Sequence, residues 1–138
     1  MIFPRPFEIE NENGTFPAIC FVEHARNKIP ASMDNLGLTP EALQTHIAWD
    51  IGIEKVTRIA SAALGIPAIY CLYSRLIVDV NRPRNHPEIF WPQSDGVVIL
   101  NRYLHVAAAS KSDGSANHRN IYSCTILRQF HVGVRAEP

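Results

Sequence analysis

"PEALQTHIAWDIGIEKVTRIASAALGIPAIYCLY", Pro40 to Tyr73, is a long helical pattern that stops at a glycine and runs directly into an apolar, β-rich segment. Thr39 can cap the helix, Pro40 suits its first position, Glu41 complements its positive end and Gly65 offers a stop. Leu43, Ile47, Ile51, Val56, Ile59, Ala60, Ala63 and Leu64 recur at near-helical spacing. The pattern therefore predicts one helix over 40–64 with an apolar stripe. Gly52 weakens its middle by about 1 kcal/mol relative to Ala, which allows a break or bend there.

Strand signals flank this helix. "PAICFV" (Pro17 to Val22) is a short apolar run that leads into the polar "EHARN", the pattern of a buried strand delivering residues at its C-terminal end. "PAIYCLY" (Pro67 to Tyr73) and "RLIVDV" (Arg75 to Val80) follow as two further β-rich runs. Strand, long helix, strand is the signature of an α/β fold with an open, largely parallel sheet and flanking helices. "RPRNHPEIFWPQSDG", with three prolines, reads as an irregular loop of the kind that lies over a site at the strand ends. Beyond Asn101, "YLHVAAAS" and "IYSCTILRQFHVGV" show neither convincing caps nor a consistent period, with the linker-like "SKSDGSAN" between them.

The length of 138 residues fits a single domain. Thirteen Lys and Arg balance thirteen Asp and Glu, so no general attraction to nucleic acid or to an anionic membrane is implied. The longest apolar run, Ile59 to Tyr73, is interrupted by Ser61, Gly65 and Pro67 and falls short of the roughly 20 residues of a membrane span. The start of the chain lacks the basic and apolar pattern of a secretory signal. Cys20, Cys71 and Cys124 are odd in number and widely spaced, which argues against a disulfide framework or a cysteine zinc site and fits a reducing, cytoplasmic setting.

Three groups of residues stand out. Glu23 and His24 sit at the end of the first strand, where a metal ligand or a general base gains a rigid support; a hydrogen-bonded structural histidine is the alternative. His46, Asp50 and Glu54 are spaced i, i+4, i+8, so they share one face of the expected helix, as ligands or as a solvated polar face. In an extended strand, Arg75, Asp79 and Asn81 point to one side together with Ile77, and Leu76, Val78 and Val80 to the other. An arginine backed by Asp and Asn suits a carboxylate pocket, and an internal Arg75–Asp79 salt bridge is the competing reading. No glycine-rich phosphate loop and no G-x-S-x-G elbow is present. His86, His105, His118 and His131 lie in loop-like sequence and read as surface residues.

"VEHARNKIP", "LGLTPEALQTHIAWDIG", "YSRLIVDVNRP" and "SDG", in this order, closely resemble the N-formylglutamate amidohydrolase family, including its amidohydrolase-like branch. The likeness covers about Cys20 to Arg102. It implies a zinc-dependent hydrolase on a carboxypeptidase-like (phosphorylase/hydrolase-like) α/β fold. The reaction would be cleavage of the amide of an N-acyl acidic amino acid, such as N-formylglutamate to formate and glutamate, a step of histidine degradation. By the resemblance, His24 and Asp50 are the zinc ligands; Glu23, beside His24 at the strand end, is this chain's own candidate for the catalytic carboxylate. The resemblance also gives Asn81, Arg82 and Arg75 to the substrate carboxylate; from the spacing of the residues themselves, His46 and Asp79 are expected to support the site from behind.

The chain also departs from the family pattern. Its members are longer, and their later part supplies a further histidine ligand and a carboxylate suited to general-base work. After Arg102, where they continue with a charged helix, residues 103–138 lose the helical period. The expectation is an N-terminal portion of the hydrolase domain with an atypical tail, impaired in zinc binding and turnover. The competing class is a non-catalytic fragment or module that binds a small-molecule carboxylate. A sheet lacking half its strands would expose an edge open to self-association.

Overall fold

Tyr70 marks the centre of a three-stranded sheet in the computed structural model, which describes residues 5–83 and 86–100. The strands are β1 (Phe7–Glu10), β2 (Cys20–Val22) and β3 (Ala68–Cys71), in the order β1-β3-β2. β2 runs parallel to β3, with Cys20 opposite Ala68 and Val22 opposite Tyr70. β1 runs antiparallel to β3, with Phe7 opposite Cys71 and Glu10 opposite Ala68. The sheet formed by the described residues is thus mixed, not largely parallel. In β1, "FEIE", Phe7 and Ile9 alternate with Glu8 and Glu10, and the two glutamates meet Arg58 on the helix side of the sheet.

The single helix expected over 40–64 is two helices, α1 (Pro40–Leu43) and α2 (Ile53–Leu64). α1 starts as read: Thr39 Oγ1 accepts a hydrogen bond from the Ala42 N–H at 3.2 Å, and Pro40 occupies the first turn. The helical ladder then fails because its groups are claimed elsewhere. The Asp50 N–H donates to the His24 carbonyl at 3.0 Å, and the Ala48 carbonyl accepts from Ser74 Oγ at 2.9 Å. Gly52, at φ 91°, restarts the chain as the cap of α2. Gly65, in the left-handed conformation at φ 69°, ends α2 as its position suggested.

Arg75–Val80 is not a strand. The Ile77 N–H donates to the Ser74 carbonyl and the Leu76 N–H to Ser74 Oγ, so the segment coils into a turn. Leu76, Ile77 and Val78 are all buried, and the two-sided alternation read from the sequence is lost because core surrounds this turn. These residues join Met33, Leu36, Leu38, Leu43, Ile47, Tyr73, Ile89 and Ile99 in the larger hydrophobic cluster. A smaller cluster of Val22, Ala25, Ala68 and Tyr70 lies at the sheet. The proline-rich loop ends in a hairpin of β4 (Gln93–Ser94) and β5 (Val97–Val98), turned by Asp95 and Gly96 at φ 47° and 76°. The readings made for the 103–138 tail, including His105, His118, Cys124 and His131, lie outside the described residues.

Candidate functional site

The segments that break the expected helix and strand converge on His24, just past the end of β2. His24 Nε2 lies 2.8 Å from Asp79 Oδ1, and Asp79 Oδ2 accepts a hydrogen bond from Arg75 Nη2 at 3.2 Å. Arg75 Nη1 reaches Asp50 Oδ1 at 3.3 Å, and Asp50 Oδ2 faces His24 Nδ1 at 3.4 Å. The four side chains close a ring in which each carboxylate gives one oxygen to the histidine and the other to the arginine. The internal Arg75–Asp79 bridge weighed from the sequence is therefore present. Arg75 spends both terminal nitrogens on it and on Asp50.

Asp79 is the hub of the ring and is only 1% exposed. Besides His24 and Arg75, it accepts from the Asn81 backbone N–H at 3.1 Å and from the Trp91 indole N–H at 3.3 Å, and Arg82 Nε stands 3.9 Å away. Burial alone raises a carboxyl pKa. Here the His24 hydrogen bond and charge, the Arg75 guanidinium and the Asn81 N–H outweigh it and hold Asp79 at about 2. His24 is buried, while Asp50 is 52% exposed. The ring thus runs from a dry, fixed end at Asp79 to a wet end at Asp50.

Of the residues singled out in sequence, His24, Asp50, Arg75 and Asp79 are brought together and Arg82 stands beside them. Asn81 contributes its backbone, and its side chain is exposed. Glu23 is half-buried and lies near Cys71, whose thiol is pushed up to about 12 by burial and, less strongly, by the Glu23 and Asp79 charges. His46 does not support the ring: with the helix broken, it pairs with Asp95 at 2.7 Å, the two 73% and 66% exposed. Glu54 likewise leaves the shared face and joins Arg26 and Arg58 against the sheet. Trp91 was missed in sequence. Its signal was its place in the loop expected over the site.

The donors present fit a zinc ion in part. With Zn–N and Zn–O bonds of about 2.0–2.1 Å, two ligands at a tetrahedral angle stand about 3.3 Å apart. The separation of His24 Nδ1 and Asp50 Oδ2 is 3.4 Å. The Asp79 carboxylate on the opposite ring nitrogen is the support a ligating histidine commonly has. Among the described residues, no group of three or more His, Cys, Asp and Glu is placed to hold a metal.

Fold and site together define an α/β protein whose buried histidine is gripped by two carboxylates and an arginine at the end of a sheet strand. The chain belongs to the N-formylglutamate amidohydrolase family, whose model matches residues 16–137. That span runs past Arg102, where the motif likeness stops. Among solved structures, gene product Atu2144 from Agrobacterium tumefaciens is similar at 26% identity, with a TM-score of 0.65 over 80% of this chain and 52% of that chain. The chain spans about half the length of that structure. A search of curated proteins returned no match.

Proposed function

We propose that the chain carries the zinc and carboxylate-binding part of an amidohydrolase that cleaves the amide of an N-acyl acidic amino acid, N-formylglutamate being the model substrate. The observation that carries this reading is the His24 ring. Its Nε2 is fixed on buried Asp79, which leaves Nδ1 facing Asp50 across a ligand-like separation. His24 Nδ1 and Asp50 are the residues that would hold the ion. A bound zinc supplies Lewis acidity to the amide carbonyl and brings the pKa of water toward about 7.

The protein's own groups prepare that chemistry. With Nε2–H donating to Asp79, the neutral imidazole has its lone pair on Nδ1, the tautomer a ligand needs. Arg75 holds the second Asp50 oxygen and so turns the first toward His24. Arg82 is less committed, at 3.9 Å from Asp79 and 3.6 Å from Glu88, and is the cation we assign to the substrate carboxylate, with Asn81 beside it. Arg75 joins it only by yielding a bond to Asp50 or Asp79. Glu23 is the carboxylate we assign to proton transfer. Among the described residues no helix is long and apolar enough to cross a membrane, and we place the protein in the cytoplasm.

The proposal includes impaired turnover, because among the described residues two ligand donors fall short of the usual three. The same observation favours a second reading, in which the arginines bind an acidic small molecule without hydrolysis. Formate release from N-formylglutamate with added zinc separates them. The first reading expects slow, zinc-dependent release that His24→Ala and Asp50→Asn abolish. Binding of the substrate with no release in any preparation would establish the second, and tight stoichiometric zinc in calorimetry would overturn the impairment.

A further inference from the structure

Trp91 touches three members of the site at once. Its indole N–H donates to Asp79 Oδ2 at 3.3 Å, and the Arg75 and Arg82 guanidinium carbons each lie 5.8 Å from its ring centroid. We propose that Trp91 is a positioning residue: it fixes the Asp79 carboxylate against His24 and seats both arginines against its ring. The inference rests on the assignment of His24 as the site's histidine and goes beyond it by naming what holds that histidine in register during substrate binding.

Asp79 Oδ2 accepts from the Arg75 guanidinium and the Trp91 indole, with Arg82 Nε 3.9 Å away. Arg75 and Arg82 are cations on long side chains, and an incoming substrate carboxylate competes with Asp79 for their N–H groups. If Arg75 were the sole hydrogen-bond donor to Oδ2, anion binding would free that oxygen and leave the carboxylate held through Oδ1 alone, by His24 and the Asn81 N–H, able to tilt in its alignment with His24 Nε2. The indole N–H is neutral, single and set on a rigid ring with two torsions, so a substrate anion recruits it poorly. The backbone beside it is also tied down, because the Ile99 N–H donates to the Pro92 carbonyl at 3.0 Å at the base of the β4–β5 hairpin. Trp91 is therefore the fixed donor, and the arginines are the ones that can turn outward. Its ring meanwhile keeps both guanidinium groups near the site by cation–π attraction.

Two substitutions separate the N–H from the ring. Trp91→Phe in the full 138-residue chain keeps an aromatic face and removes the donor, and Trp91→Leu removes both. The primary readout is the pair of 15N shifts of the His24 imidazole in the metal-free protein, assigned by their loss in His24→Gln. The wild type is expected to show one tautomer protonated at Nε2. Trp91→Phe should show averaged shifts once glutarate, a dicarboxylate probe, is added, and about tenfold weaker zinc binding, the low end of losses seen when a ligand's supporting partner goes. Glutarate affinity should fall in Trp91→Leu and hold in Trp91→Phe. Identical His24 shifts in wild type and Trp91→Phe with glutarate present would overturn the proposal. Should Trp91→Phe fail to fold, benzothienylalanine at position 91, with sulfur replacing N–H in the same ring frame, decides by the same shifts. Because the nitrogen readout needs neither zinc nor turnover, a wild type without formate release would defeat the functional reading and leave the Trp91 test intact.

Discussion

The region around the site and the region around the sheet are built on opposite terms. Near the site, turns and short helices of irregular sequence bury Leu36, Leu76, Ile77 and Val78 almost completely. At the sheet the elements are regular, yet α2 turns its polar side inward. Thr57 and Ser61 are buried, whereas Val56 and Ile59 are 63% and 62% exposed. Ions, not apolar contacts, tie the helix down: Arg58 bonds Glu8, Glu10 and Glu54 and lies over the Tyr70 ring, and Arg26 grips Glu54 with two nitrogens. On the other side of the sheet, Phe21 is 44% exposed. Regular secondary structure, then, is not what makes this core. The site region closes on itself, and the sheet region leaves apolar surface unused.

Substitutions should hurt most in the region that closes around the site. Asp79→Ala removes the hub and strands buried His24, so a loss of about 3–5 kcal/mol in denaturant unfolding is expected, as for other broken buried pairs. Leu76→Ala, in the loop-built core, should cost about 2–5 kcal/mol by the same measurement. An Asp79→Ala protein as stable as the wild type would mean that the ring forms without supporting the fold.

How the site region could be read from sequence follows from the same contrast. Strand β2, the Thr39 cap and the Gly65 stop were legible because each depends on local chemistry: β-forming residues, a hydroxyl placed three residues before an N–H, and a glycine free to adopt positive φ. His24, Asp50, Arg75 and Asp79 were picked out by residue type, and their meeting was not legible. The expected helix would have carried Asp50 on a face with His46 and Glu54, and the expected strand would have ended the polar cluster at a sheet tip. Ser74 undoes both, capturing Ala48 with its hydroxyl and turning residues 74–77 with its backbone and side chain. Such long-range claims on backbone groups leave no period in the sequence. The reversed face of α2 was hidden for the same reason, because the ions that turn it inward come from β1 and from the segment after β2.

Acid should loosen the sheet region. Glu54 has its pKa lowered from 4.5 to about 2, chiefly by hydrogen bonds from Arg26 and then Arg58 set against the opposing effect of burial, and Glu8 is lowered through Arg58. Unfolded, Glu54 takes up its proton near the ordinary value; folded, it waits until about pH 2. Between those limits the unfolded state binds more protons, so stability rises with pH, is fully present above about pH 5, and is lost as pH falls toward 2. Thermal midpoints followed from pH 6 to 2 should drop, and Glu54→Gln should flatten the drop while lowering the midpoint at neutral pH. An equally steep acid limb in Glu54→Gln would place the acid-sensitive contacts elsewhere.

The smallest expected effect is the sharpest test of the contrast. Val56 and Ile59 are as apolar as any core residue, yet their exposure leaves little burial to lose. Val56→Ser and Ile59→Ser should therefore change the stability of the dilute protein by no more than about 0.5 kcal/mol each, the usual range for surface sites. A loss of 2 kcal/mol or more, approaching that of Leu76→Ala, would mean that the face is covered in solution. Sedimentation then tells by what. A wild-type mass that rises with concentration, and falls back to 15.5 kDa in the double variant, identifies a second copy, the self-association expected of a chain with apolar surface to spare. A mass that stays at the monomer value assigns the cover to the same chain, and the division between a closed site region and an open sheet region would no longer hold.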